Sequence, residues 1–263
     1  MAAMTGMACS DIFGSASRSP IAAISALSLP YPTVVVGDVM RDSLGQPAPV
    51  SIQAFDANGN VITTQSPTFT VLDGTTSTLS ASVQIDQNGF VHGLVRDTVG
   101  ARVFAGFGTL TAPPQRVLVS VPPTTATKTV APWEIDFDVL VNDTLTPSNW
   151  SAPLDLTLAD ASGIHAQVFI VTYAVTRFPS PRAAGDQAAY IGDDVTGKPT
   201  AQDTTDVKGL ARRRVVLRQP KTDTLVLNGT KVDTVIVRAT VKYNGADVSG
   251  TPIDYVIPVK KKP

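Results

Sequence analysis

The chain is poor in the residues that carry chemistry. It holds one cysteine, Cys9, and two histidines, His92 and His165, among 263 residues. A lone cysteine forbids an internal disulfide, and a metal site built on Cys and His needs several such ligands converging. Charged residues are 16% of the chain, below the ~25% usual for soluble proteins. The formal net charge is −1, so no general field draws it to nucleic acid. No apolar stretch approaches the ~20 residues that cross a bilayer. There is no G-x-S-x-G turn, no Walker A sequence and no G-x-G-x-x-G between strand and helix. The two histidines fall in different expected domains, so a nucleophile–base–orienter triad has no basis here. Paired-carboxylate chemistry leaves no such pattern, but small β-sandwiches offer no deep cleft for it. The expectation is a protein without catalytic, metal or cofactor residues.

What is present is alternation and turns. The hydrophobic share is 43%, with 20 Pro and 19 Gly, and Val and Ile dominate between the breaks. Asp56-Ala57-Asn58-Gly59-Asn60 lies between Val50-Ser51-Ile52-Gln53-Ala54-Phe55 and Val61-Ile62-Thr63. Side chains alternate along both flanks and the Asn-Gly pair supplies positive φ, which reads as a β-hairpin. Turns of the same kind recur at Asp86-Gln87-Asn88-Gly89, Asn228-Gly229 and Asn244-Gly245. Asp56, Asn58 and Asn60 also alternate as in a calcium loop. The continuation lacks the bidentate glutamate, and Asx hydrogen bonding explains all three.

The fold expected is all-β: two tandem sandwiches. Strands spaced by roughly a dozen residues fill 30–121 and again 133–263. The first set includes Thr33–Val36, Thr68–Leu72 and Ala101–Phe107; the second includes Gln167–Thr176, Leu210–Leu217 and Ile253–Val259. Residues 122–132, opening on Pro122-Pro123, read as a semi-rigid linker because paired prolines favour extended backbone. Residues 178–206 read as a long irregular loop. A loop of that length is uncommon unless it functions or packs against a neighbour. Ile52 to Ile62, Thr68-Phe69-Thr70-Val71, Asn88-Gly89-Phe90-Val91-His92-Gly93 and Ala101-Arg102-Val103-Phe104-Ala105 together resemble, in order, the strands and turns of bacterial Ig-like (Big-type) domains. The resemblance covers about a third of the chain. It implies an Ig-like fold and leaves the ligand open, because such modules serve as spacers, adhesin stalks and appended binding domains.

Residues 1–29 read as a leader and flexible tether. Gly6-Met7-Ala8-Cys9 resembles the end of a bacterial lipoprotein signal, which would make Cys9 a lipidation site. The charged start and long apolar run of such a signal are missing. Lipidation implies an envelope protein, periplasmic or on the outer surface, anchored to a membrane. The terminal Lys260-Lys261-Lys262 reads as a solubilising tail. Arg212, Arg214 and Arg218 share one face of an expected strand, with Arg213 on the other. With Asp193 and Asp194 in the long loop they form the candidate contact surface; charge protection of an edge strand is the competing reading. The functional expectation is a non-catalytic accessory subunit docked on a membrane-associated protein complex. The alternatives are a cell-surface adhesin or carbohydrate-binding module, and the detached accessory domain of an enzyme. Neither cofactor nor nucleic-acid partner is expected.

Overall fold

Inward-facing apolar residues at every second position build the strands of this chain. The computed structural model describes residues 20–129, 133–137, 149–178, 189–217 and 233–261. Among them the regular elements are all strands and there is no α-helix. In the first body these are β1 (Ala23–Ile24), β2 (Thr33–Val35), β3 (Ala54–Phe55), β4 (Val61–Ile62) and β5 (Thr68–Leu72). They are followed by β6 (Val83–Ile85), β7 (Val91–Gly93), β8 (Asp97–Phe107), β9 (Leu110–Thr111) and β10 (Gln115–Ser120). Along β8, Val103 and Ala105 are buried while Arg102 and Phe104 face outward. That period of two is what a half-buried sheet requires.

The second body contains β11 (Thr125–Lys128), β12 (Ile135–Phe137), β13 (Leu154–Ala159), β14 (Ile170–Arg177), β15 (Ala189–Gly192) and β16 (Gln202–Thr204). It continues with β17 (Leu210–Leu217), β18 (Asp233–Thr240), β19 (Lys242–Tyr243), β20 (Ala246–Asp247) and β21 (Ile253–Lys261). One sheet runs β11-β13-β17-β15 and the facing sheet runs β12-β21-β18-β14-β16. These are the two sheet orders of an Ig-like sandwich, with one departure. After β14 the chain first crosses to the far sheet as β15 and only then returns beside β14 as β16. The first body repeats the core of this plan in its sheet β2-β10-β8-β5. In both bodies a short early strand runs parallel to the last one, β2 beside β10 and β12 beside β21.

Each body has its own core. Val34, Met40, Val71, Val103, Val117 and Val119 anchor the first, and Phe137, Leu156, Tyr173, Val237, Tyr255 and Ile257 the second. Tyr173 crosses the second sandwich, its hydroxyl donating toward the carbonyls of Leu154 and Ala211, each at 3.1 Å. Burial pushes that phenol's pKa far up, so it stays a donor at any working pH.

One turn is used five times among the described residues. Asp56, Asp86, Asp160, Asp206 and Asp42 each accept, through Oδ1, the N–H groups two and four residues ahead. The glycine three residues on takes φ of 81°, 85°, 81°, 67° and 81°, a region open to glycine at little cost. Two of these glycines also bind a second segment of the chain. Val50 N–H donates to Gly89 C=O at 2.9 Å, and Leu158 N–H to Gly209 C=O at 2.8 Å. The first two turns were legible as Asn-Gly hairpins; those at Asp160, Asp206 and Asp42 lack Asn at that position and were not.

Four expectations need correction. Residues 20–29 are not a tether: β1 pairs β3, Ser28 bridges Ser51, and Leu27 is buried in the first core. The expected linker contains a strand, since β11 pairs β13 along its whole length. Thr-Ala-Thr-Lys hides this in sequence because an edge strand needs only Ala126 turned inward. The long loop contributes the edge strands β15 and β16, with residues 179–188 outside the described part. At the C-terminus β21 continues to Lys261, and Lys260 pairs with Glu134 at 2.6 Å.

A Cβ at Gly209 would lie 2.3 Å from the Leu158 carbonyl oxygen, whereas one at Gly59 meets nothing within 4 Å. Gly209→Ala should therefore destabilise by about 3 kcal/mol, and Gly59→Ala by about 1 kcal/mol, the cost of left-handed φ alone. Equal losses in urea melts of the two variants would contradict this account of the turn.

Candidate functional site

The two bodies meet where backbone donors at and just before β14 reach side-chain hydroxyls of the first body. Gln167 N–H donates to Ser120 Oγ at 2.9 Å, and Ile170 N–H to the Tyr31 hydroxyl at 2.9 Å. The Gln167 side-chain amide reaches the Asp97 carbonyl at 3.3 Å. Val168, between these donors, takes φ 61°, a genuine outlier for a β-branched residue and a sign that the surroundings hold it there. Val35 and Val121, from the first body, are buried in the second body's core cluster. On the outer side the loop carrying Gly45 lies against the Asn244-Gly245 turn. A Cβ at Gly45 would sit 2.4 Å from Gly245 N.

Between these contacts lies a cavity of 280 Å³. The first body contributes Tyr31, Val34, Val35, Asp38 and Arg41; the second contributes Phe169, Ile170, Thr172, Gln202, Thr240 and Lys242–Gly245. Phe169 meets Tyr243 edge to face at 6.1 Å. Its rim is a charged cluster. Arg41 holds Asp38 through Nε and Nη2, both at 3.0 Å, and its Nη1 donates to Gly45 C=O at 2.9 Å. The Tyr243 hydroxyl donates to Asp38 Oδ2 at 3.2 Å, across the junction. Burial alone would raise Asp38. The Arg41 hydrogen bonds and charge, the Val39 N–H and the Tyr243 hydroxyl outweigh it and hold the carboxyl below its usual range. Burial, then the Asp38 charge, pushes Tyr243 up to about 12. Nothing in the sequence marked this site, because it carries no motif and its cross-junction partners lie 139 and 205 positions apart.

The contact residues expected from sequence lie elsewhere, on the second body. β17 is an inner strand between β13 and β15, so the arginines do not guard an edge. Arg212 pairs with Asp155 at 3.1 Å. Arg214 donates to the carbonyls of Asp194 and Ser151 and lies over the Trp150 ring. Asp193 caps the turn that follows β15, accepting from Val195 N–H, Thr196 N–H and Thr196 Oγ1. The structure thus gathers Asp193, Asp194 and Arg214 at one end of the β15–β17 ladder, with Arg212 further along. The residue passed over is Arg213. It faces inward, is 8% exposed, pairs with Asp203 at 3.1 Å and donates to the Gln202 carbonyl. That links the two sheets through β16 and β17. Cys9 and Arg218 lie outside the described residues. His92 sits on β7 and His165 beside β13, in different bodies.

Removing Arg213 leaves Asp203 without its cation, so Arg213→Ala should cost about 3 kcal/mol. Arg212→Ala, at an exposed pair, should cost less than about 1 kcal/mol. Denaturant melts that rank the two the other way would overturn the inward staple.

The rim gives a pH signature at both extremes. Asp38, depressed in the folded chain, contributes stability above its ordinary value of ~3.9 that is lost as pH falls through the folded one. Tyr243, raised, contributes fully below ~10 and loses this as pH climbs through its folded value. Phenolate absorbance of Tyr243→Phe subtracted from that of the parent chain should isolate one tyrosine titrating at about 12. A difference curve centred at ~10 would be incompatible with the Asp38 contact.

No family model matches this sequence, and no curated protein matches it. Among solved structures, the chain is similar to the adhesin InvE of Yersinia pseudotuberculosis, with 16% identity and a TM-score of 0.35 over 87% of this chain and 56% of that one. It is similar to the Escherichia coli adhesin FdeC, with 13% identity and a TM-score of 0.30, over 89% of this chain and 65% of that one. A glycosyl hydrolase family 2 member from Bacteroides cellulosilyticus shows 13% identity and a TM-score of 0.30, over 86% of this chain and 23% of that one. The chain spans less than two thirds of the length of each. Likeness of this strength does not carry an activity from any of the three to this chain.

Proposed function

We propose that the chain is a non-catalytic pair of tandem Ig-like domains, about residues 20–121 and 125–261, acting as a rigid spacer and contact module at a bacterial cell surface. The observation behind this reading is the junction. Only Pro122, Pro123 and Thr124 separate Val121 from β11, and Thr124 N–H already donates to Ala159 C=O at 3.0 Å. Two prolines restrict the connection further. Backbone donors at Gln167 and Ile170 and the Tyr243 hydroxyl then hold the second body to the first. Domains joined this way transmit force and hold a contact surface at a set distance, which is what a stalk or adhesive segment needs.

A lipid on Cys9 would place the first domain nearest the membrane and the second beyond it. The docked-subunit reading draws less support, because Arg212, Arg214 and Asp193 are each engaged within the chain. Residual dipolar couplings test the rigid reading. Couplings from the two bodies should fit one alignment tensor, and Gly45→Val, which drives a side chain into the Asn244-Gly245 turn, should split them into two while both cores persist. Two independent tensors in the unaltered chain would show a hinge and end this proposal.

A further inference from the structure

We propose that the cavity between the bodies is a binding site for a neutral, hydroxyl-rich ligand of about the size of one sugar ring. The inference rests on the surface-module reading above, to which it adds a ligand class. Charge argues first. Two acids, Asp38 and Asp42, and two bases, Arg41 and Lys242, line the cavity, and each has an internal partner. Asp38 and Arg41 hold one another, Lys242 pairs with Asp247 at 3.2 Å, and Asp42 Oδ1 accepts the N–H groups of Leu44 and Gln46. An ionic ligand would have to break one of these arrangements.

The neutral groups are a different matter. Tyr31 Oη accepts from Ile170 N–H, and its own proton has no acceptor among the described residues. The side chains of Ser43, Thr172 and Gln202, all lining the cavity, make no hydrogen bond among those residues either. They stand around apolar surface from Val34, Val35, Phe169 and Ile170. An apolar wall with a few convergent, uncommitted hydrogen-bonding groups is the usual make-up of a small-molecule site. A sugar ring matches both parts, with C–H faces for the wall and hydroxyls that donate as well as accept. Ligands with fewer hydroxyls would leave these groups unpaired on losing their water, which is costly. At 280 Å³ the space is at the small end for ligand sites, enough for one ring. Because both bodies supply the lining, occupancy would also tighten the junction.

The test is an amide NMR titration of the whole chain with methyl α-mannoside, methyl β-galactoside and methyl β-N-acetylglucosaminide. At least one should give saturable shifts at Ile170, Gln202 and Lys242–Gly245, weakened about tenfold, the equivalent of one hydrogen bond, in Gln202→Ala and in Thr172→Val. Both substitutions alter exposed or half-buried side chains with no internal partner, so the remaining spectrum reports that the fold is kept. Absence of saturation by all three glycosides up to about 50 mM would overturn the proposal. So would equal saturation by cyclohexanol, or binding that neither variant weakens. A single alignment tensor together with no glycoside binding would leave the rigid spacer standing and remove the sugar site alone.

Discussion

The architecture depends on two backbone amides near the start of β14. Gln167 N–H and Ile170 N–H leave the second body and find Ser120 Oγ and the Tyr31 hydroxyl in the first. In each bond the donor is main chain and only the acceptor side chain has rotamers to order, so it fixes position more tightly than a surface ion pair between two long side chains. Buried amides also have no good alternative once the bodies close, since losing the partner leaves a desolvated donor. The strained φ of Val168 is a consequence: the backbone is held to bring both donors to the junction. The cavity is the space these contacts leave beside them.

Both bodies are variations on one plan, and the variations matter. The turn built on Asp86 and Gly89 hands its glycine carbonyl to Val50, ahead of β3, and the one built on Asp206 and Gly209 hands its own to Leu158 in β13. That contact fixes register where a one-residue slip would turn the apolar face outward. The bodies differ beside their third long strand. In the second, β16 covers the edge of β14 and presents Gln202 to the cavity and Asp203 to Arg213. In the first, no described strand pairs the outer edge of β5 beyond the single bridge between Leu72 and Leu79. One short strand therefore serves the second sandwich twice, staple on one side and cavity wall on the other.

Much of the scaffold was legible in the chain. Thr68–Leu72 and Leu210–Leu217 have the ends that alternation assigns them, because β-branched runs bounded by turns have few alternatives. The short strands were not legible. Ala23–Ile24, Thr125–Lys128 and Gln202–Thr204 carry little apolar signal; the last two exist because a longer strand offers an open edge, and Ala23–Ile24 pairs the equally short Ala54–Phe55. The arginine run shows the same limit from another side. Alternation separated Arg213 from Arg212 and Arg214 correctly, but could not say which face was the interior. The single inward arginine is the structural one, since Asp203 waits on the opposite sheet.

The sequence by itself determined the fold class, the long strands and the two Asn-Gly turns at Asp56 and Asp86, because each depends on residues within a few positions of one another. Only the tertiary structure decided that the proline segment joins the bodies closely, that Asp38 meets Tyr243, and that Tyr31 and Gln202 face one cavity. Those pairings join residues over a hundred positions apart, and periodicity carries no information about which surfaces meet once two sandwiches close on each other.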